Sequence, residues 1–69
     1  MAQHLFKVEG MSCSHCQKAV TDAVSALAGV NAVTVSLDAG TADVTYNDAA
    51  VSAQAIVAAI EEQGYDAAE

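Results

Sequence analysis

The central stretch of the chain, residues 30–46, reads VNAVTVSLDAGTADVTY, and it decides the fold. Apolar and polar residues alternate on both sides of Asp38-Ala39-Gly40, which is typical of strands with one buried and one solvated face. The Asp-Ala-Gly run has the composition of a hairpin turn. The stretch therefore predicts two antiparallel strands, Val30–Leu37 and Thr41–Tyr46. Their predicted inward residues are Val33, Val35, Leu37, Ala42, Val44 and Tyr46.

Both sides of this hairpin show helical periodicity. Before it, the segment Ser14–Ala28 has an apolar stripe at helical spacing, and Gly29 stands where a glycine that ends a helix belongs. After it, Ser52 is a predicted N-cap for a second helix, Ala53–Gln63. The predicted core stripes are Cys16, Val20, Ala23, Val24 and Leu27 in the first helix, and Ala53, Ile56, Val57 and Ile60 in the second.

The two ends of the chain supply the outer strands. His4–Glu9 alternates and ends at Gly10, and Tyr65–Ala68 follows Gly64 as a short final strand. The order is β-α-β-β-α-β, which predicts an α+β, ferredoxin-like fold: a four-stranded antiparallel sheet with two helices on one face. At 69 residues the chain has room for one domain, and we assign residues 1–69 to it.

Charge and hydropathy exclude several classes of partner. The net charge of −7 argues against nucleic acid and against anionic membrane surfaces, which both attract Lys and Arg. No apolar run approaches the ~18 residues of a membrane span. The start at Met1–Val8 has no basic segment of the secretory type, although a mature exported chain would have the same composition. We expect a cytoplasmic protein with no membrane insertion.

Cys13 and Cys16 are the only cysteines. A small secreted domain usually has four or more, spread along the chain as staples. A pair three residues apart closes a very small loop and removes little entropy from the unfolded chain. We therefore expect both thiols to be reduced and retained for their chemistry.

The pair lies in Gly10-Met11-Ser12-Cys13-Ser14-His15-Cys16, between the first predicted strand and the first predicted helix. Cys13 is expected in the loop and Cys16 in the first helical turn, with Cβ atoms about 5–6 Å apart. Thiolates select soft ions such as Cu(I) or Zn(II), and a helix N-terminus should lower the cysteine pKa. Structural zinc takes four ligands. Two thiolates suit Cu(I) and leave room for an incoming thiolate.

Residues 10–16 resemble the heavy-metal-associated domain family, as do Ala28-Gly29-Val30 and Gly64-Tyr65. The resemblance covers nearly the whole chain. Within that family the sequence is most similar to the bacterial copper chaperones of the CopZ type, which pass Cu(I) to copper-exporting P-type ATPases.

The resemblance implies a role for each motif residue. Cys13 and Cys16 would bind the metal, Met11 would pack under the loop without being a ligand, and Tyr65 would lie near the site. Ser12 is expected to support the loop. For His15 the sequence leaves open a polar surface residue, a residue that tunes the thiol pKa, or an occasional ligand.

The sequence thus predicts a Cu(I) chaperone that is not an enzyme. It would transfer copper to a P-type ATPase by thiolate exchange. A copper-bridged homodimer is a further possible assembly. Other possibilities are a metal-binding domain of such an ATPase and a mercury- or zinc-handling relative. Met1 and the acidic end at Glu69 favour a free-standing protein. From a different class, a thiol-disulfide oxidoreductase also uses Cys-x-x-Cys, but the chain has no proline and no Trp-Cys-Gly-Pro-Cys motif.

Overall fold

The computed structural model describes residues 2–11 and 14–69, and within these ranges the chain forms four strands and two helices. The predicted β-α-β-β-α-β order is confirmed. The elements are β1 (Ala2–Glu9), α1 (Ser14–Ser25), β2 (Val30–Ser36), β3 (Thr41–Tyr46), α2 (Ala53–Glu62) and β4 (Asp66–Ala68).

The sheet has the strand order β2-β3-β1-β4, and every pairing is antiparallel. The central strand β1 pairs with β3 over Ala2–Lys7 and with β4 over Lys7–Glu9. Helix α1 packs on β2, helix α2 packs on β4 and β1, and the helices contact each other. This is the predicted ferredoxin-like arrangement, and it places the β1–α1 connection and the α2–β4 connection side by side.

The core lies between the sheet and the two helices. Alternate side chains of β1 and β3 are buried, as the period-two pattern predicts, and each helix contributes one apolar stripe. Full burial of a Val, Ile or Phe side chain contributes about 1.5–3 kcal/mol. The largest fully buried side chains are Phe6, Val20, Val24, Val44, Ile56 and Ile60.

Helix α1 ends at Ser25, three residues before the predicted end at Ala28. Ser25 Oγ donates to the carbonyl oxygen of Thr21 at 2.6 Å and competes for an acceptor inside the last turn. The next turn is tighter, because the N–H of Leu27 donates to Val24, three residues back, at 3.1 Å. Leu27 is still half-buried against the core, which is why the apolar stripe continues beyond the helix.

The prediction that Gly29 ends α1 is therefore wrong. Gly29 instead allows two loops to approach each other closely. Its φ is +95°, and a Cβ at this position would lie 2.8 Å from Ala50 Cβ and 3.2 Å from Val51 Cγ1. The Gly29 carbonyl accepts from the N–H of Asn47 at 2.7 Å. These contacts lock the α1–β2 loop to the β3–α2 loop, at the end of the sheet where β3 finishes.

The other element boundaries shift by one or two residues. Ser52 is the N-cap of α2 as predicted, since its hydroxyl accepts from the N–H of Ala55 at 3.1 Å. Ala59 is buried on α2 as well, beside the predicted stripe. β1 begins at Ala2 rather than His4, because β3 is long enough for Tyr46 to pair with Ala2. The remaining differences are the ends of β2 at Ser36 and of α2 at Glu62, and the start of β4 at Asp66.

Candidate metal site

The loop between β1 and α1 carries the predicted metal-binding motif. Helix α1 begins at Ser14, so Cys16 lies in its first turn, as predicted, and its side chain is half-buried. Ser12 and Cys13 lie outside the described residues, so the loop position of Cys13 and its distance from Cys16 stay predictions.

The first turn of α1 favours a thiolate at Cys16. The first N–H groups of a helix have no partner inside it, and the helix dipole places partial positive charge there. Both effects stabilise a thiolate relative to a thiol. The first turn contains no acidic residue that would oppose them.

His15 is exposed to solvent in the same turn. Its position between the cysteines places the imidazole beside the site in sequence. Its predicted roles, as a tuner of the thiols or an occasional ligand, are untested by the geometry. Among residues 2–11 and 14–69 no group of three or more His, Cys, Asp or Glu side chains is arranged to hold a metal ion.

Met11 anchors the start of the loop. It is half-buried and packs against the hydrophobic core, whereas Glu9 and Gly10 before it are exposed. An inward-facing thioether fills irregular space at the edge of a core. This position fits the expected support of the loop, and it leaves the loop connected to the core on its β1 side.

Tyr65 lies next to the same loop, from the opposite direction along the chain. Its half-buried ring packs against the core, and Cδ1 is 3.4 Å from the point where a Cβ on Gly10 would sit. Gly10 has a φ of +98°, a conformation that favours glycine. The structure therefore brings Tyr65 to the start of the metal loop, although Tyr65 and Met11 are 54 positions apart in the sequence.

Gln17 is a residue of this region that the sequence analysis did not single out. Its Nε2 donates to the backbone carbonyl oxygen of Val35 in β2 at 2.6 Å, in a partly buried position. The sequence does indicate that Gln17 is partly buried. Gln17 precedes Val20 and Val24 by three and seven residues, so it lies on the buried stripe of α1. A polar side chain on such a stripe needs a hydrogen-bond partner.

Exposed carboxylates lie at the end of β1 and on both sides of the α2–β4 connection. Glu9 and Asp66 are directly opposite each other in the β1–β4 pairing, and both are exposed. Like charges in this arrangement repel each other. Glu61 and Glu62 are also exposed, at the C-terminal end of α2. Glu61 and Glu62 end the helix that leads to Tyr65, so they lie on the same side of the fold as the α2–β4 connection.

No helix within the described part of the chain is long and apolar enough to cross a bilayer.

Comparisons of sequence and of structure with known proteins point to the same family. The model of the heavy-metal-associated domain matches residues 5–66. The chain is 53% identical, over 68 residues and 99% of both chains, to the copper chaperone CopZ of Bacillus subtilis (strain 168).

Two solved structures extend the likeness to three dimensions. One is titled CopZ metallochaperone, with a TM-score of 0.94 and 42% identity over 97% of this chain and 100% of that one. The other is a copper binding domain from HMA7, a P-type ATPase, with a TM-score of 0.97 and 31% identity over 99% of this chain and 92% of that one. The fold and these matches show that the chain belongs to the heavy-metal-associated domain family.

Proposed function

We propose that the chain is a cytoplasmic Cu(I) chaperone that holds one ion between the thiolates of Cys13 and Cys16. The observation that carries the proposal is the position of Cys16, half-buried in the first turn of α1 with a second cysteine three residues earlier. The likeness to a copper chaperone along 99% of both chains supports the choice of metal and of function.

The proposed chemistry is ligand exchange without a redox step. Soft thiolates bind Cu(I), and two-coordinate copper leaves space for a third sulfur. An incoming thiolate of the recipient forms one Cu–S bond, after which the bond to Cys13 or Cys16 breaks. A second thiolate of the recipient then replaces the remaining donor cysteine in the same way. Each released cysteine takes up a proton or binds the next ion. Copper stays Cu(I) throughout, and no disulfide is formed or reduced.

The proposed recipient is the metal-binding domain of a copper-transporting P-type ATPase. The likeness to a copper binding domain of a P-type ATPase supports this choice, because donor and recipient would then have similar folds and bind the same metal. The reducing cytoplasm suits the proposal because it keeps the cysteine pair available as thiols. We propose a binding protein in this role and not an enzyme.

A metal-binding domain of a P-type ATPase is the second candidate. The observation that favours it is the TM-score of 0.97 to such a domain, slightly above the 0.94 to the CopZ metallochaperone. The sequence relation points the other way, with 53% identity to a chaperone against 31% to the ATPase domain.

The test of the proposal is a competition titration of the reduced protein with Cu(I), Zn(II) and Hg(II), with mass spectrometry for stoichiometry. We expect one Cu(I) per chain, bound more tightly than Zn(II). Cys13→Ser and Cys16→Ser should each lose most of the affinity, whereas the control Ser14→Ala, in the same turn, should retain it. Tight Cu(I) binding by Cys13→Ser would contradict the two-thiolate site, and preferential Hg(II) or Zn(II) binding would favour the mercury- or zinc-handling alternative.

A disulfide-exchange assay on the same samples separates the oxidoreductase alternative. A binding protein should reduce a model disulfide no faster than a simple dithiol does. Catalytic turnover with a disulfide substrate would contradict the chaperone proposal.

A further inference from the structure

The first turn of α1 has only weak apolar attachment to the rest of the protein. The first fully buried residue of the helix is Val20, one turn after Cys16. Ser14 and His15 are exposed. The ends of helices fray when few buried contacts hold them. Since none of residues 14–17 is fully buried, hydrogen bonds to the sheet contribute to holding the segment that carries Cys16.

Gln17 provides such an attachment. Its side chain is half-buried, and Nε2 donates to the carbonyl oxygen of Val35 at 2.6 Å. The acceptor belongs to a well-fixed part of β2, since Val35 is 6% exposed and pairs with the fully buried Ala42 of β3. The bond thus links the residue next to Cys16 to the hydrophobic core through the sheet backbone.

The backbone of Gln17 is held as well. Its carbonyl oxygen accepts from Thr21 Oγ1 at 2.9 Å, in addition to its role in the helix. The side-chain bond to β2 and the hydroxyl bond to the next turn fix Gln17 at two points. A change in the orientation of the first turn would have to break the bond to Val35.

We propose that Gln17 is a positioning residue for the metal site, whose bond to Val35 holds Cys16 in the binding-competent orientation before the metal arrives. The inference rests on the proposed function. When only a fraction of the metal-free protein is competent, the apparent affinity falls by that fraction. Loss of one hydrogen bond of this kind corresponds to about a 3- to 10-fold loss of competent population.

The proposal predicts a difference in stability between the copper-loaded and metal-free proteins that a merely structural role of Gln17 does not predict. Removal of the tether lets the first turn of the metal-free protein relax, whereas bound Cu(I) forces the turn into place. Gln17→Leu, which keeps most of the volume and the helix propensity of the side chain but has neither a donor nor an atom that binds Cu(I), should therefore destabilise the copper-loaded protein more than the metal-free protein. The difference must equal the change in Cu(I) affinity, because binding and folding are linked.

The matched control is Ser25→Ala at the other end of the same helix. It removes a side-chain-to-backbone hydrogen bond of the same 2.6 Å length, between Ser25 Oγ and the carbonyl of Thr21. This variant should change the stability of the metal-free and loaded proteins by the same amount and leave the affinity for Cu(I) unchanged.

The experiment measures Cu(I) affinity by competition, unfolding in both states, and amide exchange of the metal-free protein. For Gln17→Leu we expect a 3- to 10-fold weaker affinity and faster exchange at Lys18, Ala19 and Val20, whose N–H groups close the first turn. Parent affinity in Gln17→Leu, or an equal loss in Ser25→Ala, would overturn the proposal. If Gln17→Leu does not fold, Gln17→Asn is used, which keeps an amide but shortens its reach by one methylene. The parent in the same titration tests the proposed function separately, since its failure to bind Cu(I) would concern the thiols and not Gln17.

Discussion

Tyr65 packs against the first residue of the metal loop, with its Cδ1 atom 3.4 Å from the position that a Cβ on Gly10 would take. The contact joins the α2–β4 connection to the β1–α1 connection. Both connections lie at the end of the sheet where β1 finishes and β4 pairs with it. The metal loop is thus attached on one side through Met11 and the core, and on the other it is bordered by the ring of Tyr65.

The first prediction concerns this ring. Tyr65→Ala should lower the free energy of unfolding of the metal-free protein by about 1–3 kcal/mol, less than the value for a fully buried aromatic side chain because Tyr65 is half-buried. Tyr65→Phe keeps the ring and should retain the larger part of that stability. Chemical denaturation of the three proteins checks the order. Equal stability of Tyr65→Ala and the parent would show that the contact with Gly10 contributes nothing.

The second prediction separates backbone strain from steric overlap in two glycines. Gly29 and Gly64 have nearly the same φ, +95° and +93°, but a Cβ on Gly64 would meet nothing within 4 Å. Gly64→Ala should therefore cost only the conformational penalty, about 1–2 kcal/mol. Gly29→Ala adds the 2.8 Å contact with Ala50 and should cost clearly more. Thermal unfolding of both variants gives the comparison, and equal losses would contradict the loop lock at Gly29.

The third prediction is the pH dependence of copper binding. Cu(I) binds thiolates, so protons compete with it for Cys13 and Cys16. The apparent affinity should fall as the pH is lowered, by up to about tenfold per pH unit for each proton displaced. Competition titrations at several pH values, with a chelator of known proton affinity, measure the slope. An affinity that does not change between about pH 6 and 8 would require thiols that are fully ionised throughout that range.

The fourth prediction concerns recognition of the recipient. Glu61 and Glu62 are exposed at the end of α2, four and three residues before Tyr65, whose ring borders the metal loop at Gly10. A recipient with Lys or Arg around its own cysteines would be steered by this charge. Copper transfer to a candidate ATPase domain should become slower as salt rises, since the Debye length is about 8 Å at 0.15 M and shorter above it. The double variant Glu61→Lys, Glu62→Lys should slow copper transfer further.

The control for this experiment is the Cu(I) affinity of the charge-reversed protein, which should equal that of the parent. Asp48→Lys is the matched variant for Glu61→Lys alone, because each reverses one exposed carboxylate and Asp48 lies at the opposite end of the sheet, after β3. Asp48→Lys should slow copper transfer less than Glu61→Lys does. A transfer rate independent of salt, or equal effects of both charge reversals, would show that the carboxylates of α2 do not select the partner.

The fifth prediction is a copper-bridged assembly. Sulfurs of a two-coordinate site near the protein surface can be shared by a second molecule, and excess copper favours clusters. Sedimentation of protein with more than one Cu(I) per chain should show mass above the monomer. A monomer at every loading would contradict this prediction.

Much of the fold follows from period-two and helical patterns in the sequence. The hairpin around Asp38-Ala39-Gly40 and the N-cap at Ser52 were predicted correctly, because each depends on local chemistry. The resemblance to the heavy-metal-associated domain family is confirmed. The end of α1 was wrong because Leu27 continues the apolar stripe after the backbone has left the helix.

Long-range contacts of the site could not be derived in the same way. The approach of Tyr65 to Gly10 depends on how two connections meet in space, and the resemblance alone anticipated it. The bond from Gln17 to Val35 joins residues 18 positions apart in different elements. A polar residue on a buried stripe signals that a partner exists, but only the packing of α1 on β2 identifies it.

The shortness of β4 divides the outer edge of β1 into two parts with different exposure to water. Lys7–Glu9, which lead into the metal loop, have β4 alongside, whereas no strand among the described residues covers that edge over Ala2–Phe6. Backbone groups that face outward in the uncovered part must be hydrated instead of paired. Local opening that begins at the N-terminal end of β1 must therefore also break the pairing with β4 before it reaches the metal loop. Opening of the sheet near Ala2 therefore need not release a metal ion bound at the loop.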